Sequence, residues 1–425
     1  MLRWLLKTSS YTVFLRVLAM VTTLGFVSIM SLWMPKADFG VLAMIISVAS
    51  FASAIGGFGQ SEMVVRDISP LLGEGRADEA RAYLQNASGL VFYASLAMGL
   101  PVGLYFALSG YSVLVAISAL AIVVFLGLNL VWSGAARSYD RYFLSLAPKD
   151  ILWRLGTVLG AAVLLIFGLT PGIGWVAPIC AGTLGLLAGW QAVSLGVRFG
   201  DLLRLSPRVT DAAYLRQGAP LMLAYTAMVV LTTVDVFIVG SLMSPEDAAE
   251  YFPANRLALI VTFFSIPLQM VIAPRIAQMM SAGDMASVQR ITTFTTLILA
   301  GASIGAAIAI VGFYPLYQPL FGTATETTFR ALLILAGSYA IGSVVGLPGV
   351  ILVMAKRQNV LAAINMGCAV LSLVAIAVTA LRGDLIEVAL AVAGFELLRK
   401  SLIGVAVWKT AGIAPIHTNL IGKPN

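Results

Sequence analysis

The sequence predicts an all-α polytopic membrane protein with about twelve transmembrane helices, arranged as two six-helix lobes. Three observations carry that prediction. Of 425 residues, 60% are hydrophobic and 11% charged, and the mean hydropathy is +0.97. Soluble proteins carry about 25% charged residues, so this chain cannot cover a water-facing surface. Polar punctuation also cuts the sequence into twelve apolar runs of spanning length. Finally, the basic residues divide unequally between alternate loops.

The runs, in order, are 11–34, 40–60, 83–108, 112–134, 151–170 and 173–196 in the first half. The second half holds 218–241, 251–273, 291–313, 331–354, 359–381 and 385–408. The first run follows a basic segment, Met1 to Lys7, like that of a signal peptide. At about 24 residues it exceeds a cleaved apolar region, so it reads as an uncleaved first helix. The second run is Gly-rich and ends in the polar residues Gln60, Ser61 and Glu62. The expected organisation is an N-terminal lobe over 1–200, a cytoplasmic linker over 201–217 and a C-terminal lobe over 218–425.

An even number of spans puts both termini on one side. With that side taken as the cytoplasm, 19 of the 26 basic residues fall in inner segments and three (Lys36, Arg330, Arg382) in outer loops. The positive-inside rule requires such a bias and would be inverted by the opposite topology. Two inner loops, 61–82 and 197–217, combine leucines with arginines. Both are candidates for amphipathic helices on the membrane surface, with a solvated hinge as the alternative.

Scarce residues exclude several chemistries. The one histidine, His417, lies in the C-terminal tail, which removes His-based triads and HExxH zinc sites. Cys180 and Cys368 fall in apolar runs, so neither a disulfide framework nor a Cys-rich metal site is expected. No glycine-rich loop ends in Lys-Ser/Thr, which argues against ATP hydrolysis. The net charge of +7 is better explained by loop orientation than by nucleic acid.

An internal repeat supports the two halves. Pro35-Lys-Ala-Asp38-Phe39 precedes the second span, and Pro245-Glu-Asp-Ala-Ala-Glu250-Tyr251 precedes the eighth. Each helix is followed by an inner loop holding glycine and acidic residues, Gly75 to Glu79 and Gly283-Asp284. Parallel six-helix repeats are a known transporter design with the substrate between the halves.

Several of these residues also carry a family resemblance. Ala37-Asp38-Phe39-Gly40 enters the second span, and Gly56-Gly57-Phe58-Gly59 leads to Val64-Val65-Arg66-Asp67-Ile68. Asp235 to Gly240 leads to Glu250-Tyr251-Phe252-Pro253-Ala254-Asn255-Arg256-Leu257, and Pro274-Arg275-Ile276-Ala277 closes the eighth span. In these motifs, and in length and topology, the chain resembles the polysaccharide transporter family of the multidrug/oligosaccharidyl-lipid/polysaccharide (MOP) exporter superfamily. Phe252-Pro253 departs from the small residues usual in that family. The resemblance implies two six-helix lobes around a central cavity. It implies a flippase that moves a lipid-pyrophosphate-linked oligosaccharide, usually on undecaprenyl, to the outer leaflet by alternating access. It further implies the bacterial inner membrane, cytoplasmic termini, surface polysaccharide synthesis and partners among polysaccharide polymerases or glycosyltransferases.

Ionisable residues at membrane depth are functional candidates by default. Arg16 lies roughly 9 Å into the first span, within reach of a pyrophosphate or of the inner headgroups. Asp235 and Arg256 lie roughly 8–9 Å deep on neighbouring spans. They suit an ion pair, either purely structural or opened by phosphate or a proton. Glu396, Arg399 and Lys400 have i, i+3, i+4 spacing, which suits either a cationic cavity wall or a self-neutralised cluster. The expected substrate-binding residues are therefore Arg16, Arg256, Arg399 and Lys400. Asp235, Glu396 and Asp38 are the expected coupling or gating residues. No cofactor or metal is expected, with H+ or Na+ as the coupling ion.

Aromatics near span ends, among them Trp132, Tyr142, Trp153, Trp190 and Tyr314, read first as an interfacial belt, with sugar stacking as the alternative. Two other functions compete with a glycolipid flippase. A multidrug antiporter of the same superfamily would favour an acidic cavity, whereas the ionisable residues deep within the spans are four basic (Arg16, Arg256, Arg399, Lys400) against two acidic (Asp235, Glu396). A polysaccharide polymerase or ligase would need a long outer loop with catalytic basic residues, and the longest outer gap holds only Glu326 and Arg330 as charges.

Overall fold

The computed structural model describes residues 2–203, 212–355 and 357–414, and all regular structure among them is helical. Hydrocarbon satisfies no backbone hydrogen bond, so a spanning segment must satisfy its own. The first part of the chain forms α1 (Leu2–Trp33), α2 (Lys36–Gly56), α3 (Gln60–Gly73), α4 (Ala77–Leu108) and α5 (Val113–Ser138). A short α6 (Tyr142–Ala147) passes through a π-helical turn, Pro148–Leu152, into α7 (Trp153–Ile166). Then come α8 (Ile173–Leu195), a single turn α9 (Phe199–Leu202) and α10 (Ala212–Val229). A second π-helical turn, Val230–Val234, joins α10 to α11 (Asp235–Leu242).

The remainder forms α12 (Pro245–Ala258), α13 (Ser265–Ser281), α14 (Met285–Gly312) and a short α15 (Tyr314–Tyr317). It ends with α16 (Glu326–Ser343), α17 (Pro348–Met354), α18 (Gln358–Ala380) and α19 (Leu385–Ala411). Eight stretches are long and apolar enough to cross a membrane, and a ninth is the pair α16–α17, bent by 45° at its break. The three other expected spans also fall on helix. The fifth is α7 with its preceding π turn, the eighth is interrupted by a 3-10 turn at Leu259–Thr262, and the twelfth is α19, with its charged residues. Pro348 opens α17 at the bend, where its missing N–H and fixed φ suit a first turn.

Helix starts are set locally. Ser112 accepts from Val115 N at 3.4 Å, Ser244 from Asp247 N at 3.1 Å and Asp284 from Ser287 N at 3.0 Å. Each satisfies one of the donors that a helix N-terminus leaves without a partner.

The chain divides into two compact units, Met1–Gly240 and Ser241–Asn425. In the first, α4 and α5 pack along their length. Trp132 is buried between them and donates its indole N–H to Ser88 Oγ at 2.9 Å. A buried indole needs such an acceptor. Small residues let the backbones approach. A Cβ on Gly56 of α2 would lie 2.7 Å from Cα and 2.9 Å from N of Ser95 in α4. In the second unit, Ile272, Val288, Ile351, Ile403 and Val407 form a core shared by α13, α14, α17 and α19. There Gln289 clamps the segment after α19, giving its amide to Ala414 O at 2.6 Å and accepting from Ala414 N at 2.8 Å.

Several expectations differ from what is observed. The second span ends at Gly56, and the polar tail Gln60-Ser61-Glu62 belongs to α3 after a turn with positive φ at Phe58 (46°) and Gly59 (69°). The loop 61–82 is not a surface amphipathic helix, because Met63, Val64 and Ile68 of α3 are buried and α3 packs on α4 and α5. In the loop 197–217, Leu202 is buried in the same core, and 204–211 lies outside the described residues. The compact units meet at Gly240, because α10 and the π turn after it pack on α2; this division by packing does not test the expected lobes with their linker at 201–217. Trp132, Trp153 and Tyr314 are core residues rather than belt residues, each at most 5% exposed.

The Gly56 contact gives a test. Gly56→Ala forces Cβ into the Ser95 backbone, at a cost of about 1–3 kcal/mol. Gly182→Ala in α8 has nothing within 4 Å and serves as the control. Thermal melting in detergent is expected to fall for the first and hold for the second. Equal melting of the two variants would mean that the approach of α2 to α4 is not tight.

Candidate functional site

The best-defined charged group within a span sits on α19. Glu396 is 6% exposed and Arg399 grips it through both carboxylate oxygens, with Nε–Oε2 at 3.0 Å and Nη2–Oε1 at 2.7 Å. Arg399 Nη1 also reaches Asn365 Oδ1 of α18 at 3.4 Å. The planar guanidinium fork matches a carboxylate in this bidentate way, which lysine cannot do. The i, i+3 spacing thus produces a neutral pair. Lys400, one residue further, makes no ion pair among the described residues. Its stem lies against α16, where a Cβ on Gly342 would meet Lys400 Cγ at 3.4 Å. Of the three residues on α19, Lys400 alone stands outside the ion pair.

Arg16 on α1 is partly buried, and its Nε has no hydrogen-bond partner among the described residues. The neighbouring Leu15 packs with Ala147 and Ile151, which anchors this turn of α1 against α6 and the first π turn. Asp235, in the first compact unit, is 2% exposed and begins α11 directly after the second π turn. A π turn releases a carbonyl from the regular ladder. Here Ser47 of α2 donates to Thr233 O and takes up that acceptor. Arg256, in the second unit, lies on α12 with its guanidinium 4.9 Å from the Phe252 ring centroid. Phe252 therefore gives the arginine a cation–π contact.

Asp38 serves a helix start on another segment of the chain. Its Oδ2 accepts from the N–H of Ile173, the first residue of α8, at 3.1 Å. The N-cap of α8 is Gly172, which has no side chain, so α2 supplies the carboxylate that the helix start lacks. The other acidic residue of the repeat behaves alike. Glu250 Oε2 accepts from Thr325 Oγ1 at 2.8 Å, and Glu250 O from Thr328 Oγ1 at 3.2 Å. Thr325 and Thr328 form the capping box of α16.

A polar network that the sequence did not reveal joins α3, α4 and α10 in the first unit. Gln60 of α3, fully buried, accepts from the Tyr214 hydroxyl of α10 at 2.7 Å. Tyr214 and Tyr83 hydroxyls lie 3.1 Å apart, and Tyr83 donates to Asp67 Oδ2 at 2.7 Å. Arg66 pairs with Asp67 at 2.6 Å and donates to Gln217 Oε1 at 3.0 Å. Burial pushes the Asp67 carboxyl up, but the hydrogen bonds from Arg66 and Tyr83 outweigh it and leave its pKa lowered. Below the network, the turn at Gly59 touches Gly218 so closely that a Cβ on Gly59 would meet Gly218 O at 2.6 Å. The polar tail of the second run was the available signal. Among the described residues, no group of His, Cys, Asp and Glu could hold a metal ion.

Residues 5–280 match the family model of polysaccharide biosynthesis proteins. The chain belongs to that family. Solved structures share its fold across nearly the whole length. One is an inward-facing multidrug resistance MATE family transporter of the MOP superfamily, 12% identical with a TM-score of 0.65, covering 93% of this chain and 96% of that one. Another is the Vibrio cholerae MATE transporter VcmN in its bent form, at 13% identity and TM-score 0.56, covering 96% and 97%. A third is a MOP superfamily transporter from Pyrococcus furiosus, at 12% and 0.58, covering 96% and 95% and described as having reversed binding-pocket polarity. No curated protein sequence matches the chain. This polysaccharide biosynthesis family member is therefore a multi-pass membrane protein with the MOP transporter fold.

The α19 pair gives a second test. Glu396→Gln leaves Arg399 without its counter-charge, and breaking such a pair costs about 3–5 kcal/mol. The double change Glu396→Gln with Arg399→Gln removes both charges. Folded yield after size exclusion is expected to drop for the single variant and recover in the double. A single variant as stable as wild type would mean that water already compensates Arg399.

Proposed function

We propose that this protein is a flippase that moves a lipid-pyrophosphate-linked oligosaccharide from the inner to the outer leaflet of the bacterial inner membrane. Movement is by alternating access, in support of O-antigen or related surface polysaccharide synthesis. The observation that carries the proposal is that Arg16 on the first expected span and Lys400 on the last, each in its own compact unit, make no ion pair among the described residues. A pyrophosphate cannot enter hydrocarbon bare, and a basic side chain held without a partner is what an anionic cargo requires. The family match adds the metabolic context, polysaccharide biosynthesis.

A multidrug antiporter is the second reading, supported by the fold shared with MATE transporters. An organic cation needs an available carboxylate within the membrane. Glu396 is held by Arg399 and Asp38 by the start of α8, so neither supports that reading. Asp235 is the acidic residue through which H+ or Na+ coupling is proposed, and Arg256 is kept as a further contact to cargo phosphate. A polymerase or glycosyltransferase is the proposed partner class, and a transport role rather than a polymerase or ligase reaction is proposed for this chain.

The cargo proposal is tested in cells whose surface polysaccharide depends on this gene. Arg16→Ala and Lys400→Gln are each expected to cut surface polysaccharide roughly tenfold or more at normal protein levels, since charge-assisted hydrogen bonds contribute about 1.5–3 kcal/mol. Arg16→Lys is expected to recover part of it, keeping charge but losing bidentate phosphate geometry. Full activity of the Arg16→Ala and Lys400→Gln variants would reject the proposed phosphate contact.

The membrane topology proposed with it, both termini in the cytoplasm and twelve crossings, rests on the 19:3 division of basic residues between inner and outer segments. Reporter fusions after Asn425 and within 242–249 are expected to report the cytoplasm and the periplasm respectively. A periplasmic C-terminus would overturn the orientation.

A further inference from the structure

A groove of about 490 Å3 opens in the first unit between the start of α1, the α5–α6 turn and the last turns of α8. Tyr11, Tyr142, Phe143 and Trp190 line it, and Phe143 and Trp190 meet edge-on with centroids 6.3 Å apart. Two successive charges, Asp140 and Arg141, share the lining with these rings. Asp140 adopts φ +56°, a left-handed conformation that carries strain for a residue with a side chain. Tyr142 donates its hydroxyl to Asp140 Oδ1 at 3.2 Å, and the second carboxylate oxygen has no partner among the described residues. Arg141 is oriented by one bond, Nη1 to Ser194 O at 2.6 Å, and its other N–H groups have no partner among the described residues.

We propose that this groove is a binding site for a phospholipid whose headgroup carries a primary ammonium and a phosphate. The aromatic faces and the Asp140 carboxylate take the ammonium, and the Arg141 guanidinium takes the phosphate. Opposite charges on adjacent residues suit two groups joined by a two-carbon link. Tyr11, Phe143 and Trp190 are 40–43% exposed, so the wall of the groove is an amphipathic aromatic surface of the kind found at headgroup level. The basic-residue count puts this turn on the inner side, facing the inner leaflet. A neutral sugar would stack on the same rings, but it gives the two opposed charges no counterpart.

The full-length protein is purified in detergent and titrated with phosphatidylethanolamine, phosphatidylglycerol and phosphatidylcholine, and binding is read by native mass spectrometry and melting temperature. Phosphatidylethanolamine is expected to bind tightest, because phosphatidylglycerol lacks the ammonium and phosphatidylcholine offers no N–H to Asp140. Asp140→Asn, which tolerates the left-handed backbone, is expected to weaken phosphatidylethanolamine roughly tenfold and leave phosphatidylglycerol unchanged. Arg141→Gln is expected to weaken both. Asp140→Gly relaxes the backbone and removes the carboxylate. It is expected to melt no lower than wild type without lipid and to lose the preference for phosphatidylethanolamine. Equal binding of the three lipids, or an unchanged midpoint in Asp140→Asn, would overturn the proposal. So would chain-free phosphoethanolamine competing as well as the lipid, or a short oligosaccharide binding more tightly than either.

Discussion

Hydrocarbon offers no partner to a backbone N–H or to a charge, and the rest of this structure follows from that. The backbone part of the demand is met by helix throughout the described residues. Where the helix is irregular, a side chain repairs it. Ser47 takes the Thr233 carbonyl at the second π turn, and Trp153 Nε1 binds Lys149 O at 2.7 Å beside the first. Helix starts are handled the same way, and two of them borrow oxygens from elsewhere in the chain. Asp38 serves α8 and Glu250 serves α16. The acidic residues that mark the sequence repeat are thus joints between helices.

The charge part of the demand separates the ionisable residues into two kinds. Glu396 and Arg399 cancel each other, hold α19 to α18 through Asn365 and leave no net charge. Arg16 and Lys400 do not cancel. A cation deep in a span outside any ion pair costs stability, and under the proposed function the pyrophosphate of the cargo supplies the counter-charge. The network of Gln60, Tyr214, Tyr83 and Asp67 is a third arrangement, running from the buried Gln60 out to the exposed Arg66–Asp67 pair. It fixes the start of α10 to α3 and α4.

The helices were legible because the apolar period and the charge scarcity leave little else possible, and every expected span falls largely on helix. The breaks were less legible. A π turn differs from an α turn by one residue and has no composition of its own, so Val230–Val234 reads as ordinary span. The end of the second span was misplaced because Gln60 is polar yet fully buried, and a polar residue in sequence looks like solvent. Spacing alone brought Glu396 and Arg399 together. It could not reveal that Lys400 stays out of the pair, since that depends on its packing against Gly342 of another helix. Asp38 was expected in coupling, and its observed partner is 135 residues away, a distance no local pattern spans.

The second π turn has a consequence for direction. An α-helix advances roughly 100° per residue, and a π turn inserts one extra residue. From Asp235 onward, every side chain of α11 is rotated by that step relative to a continuous α10. Asp235 therefore points along the bearing that an uninterrupted helix would have given to Val234. The compass heading of this buried carboxylate is set by the length of the segment before it, and Ser47 is the pin that keeps the dial from slipping back.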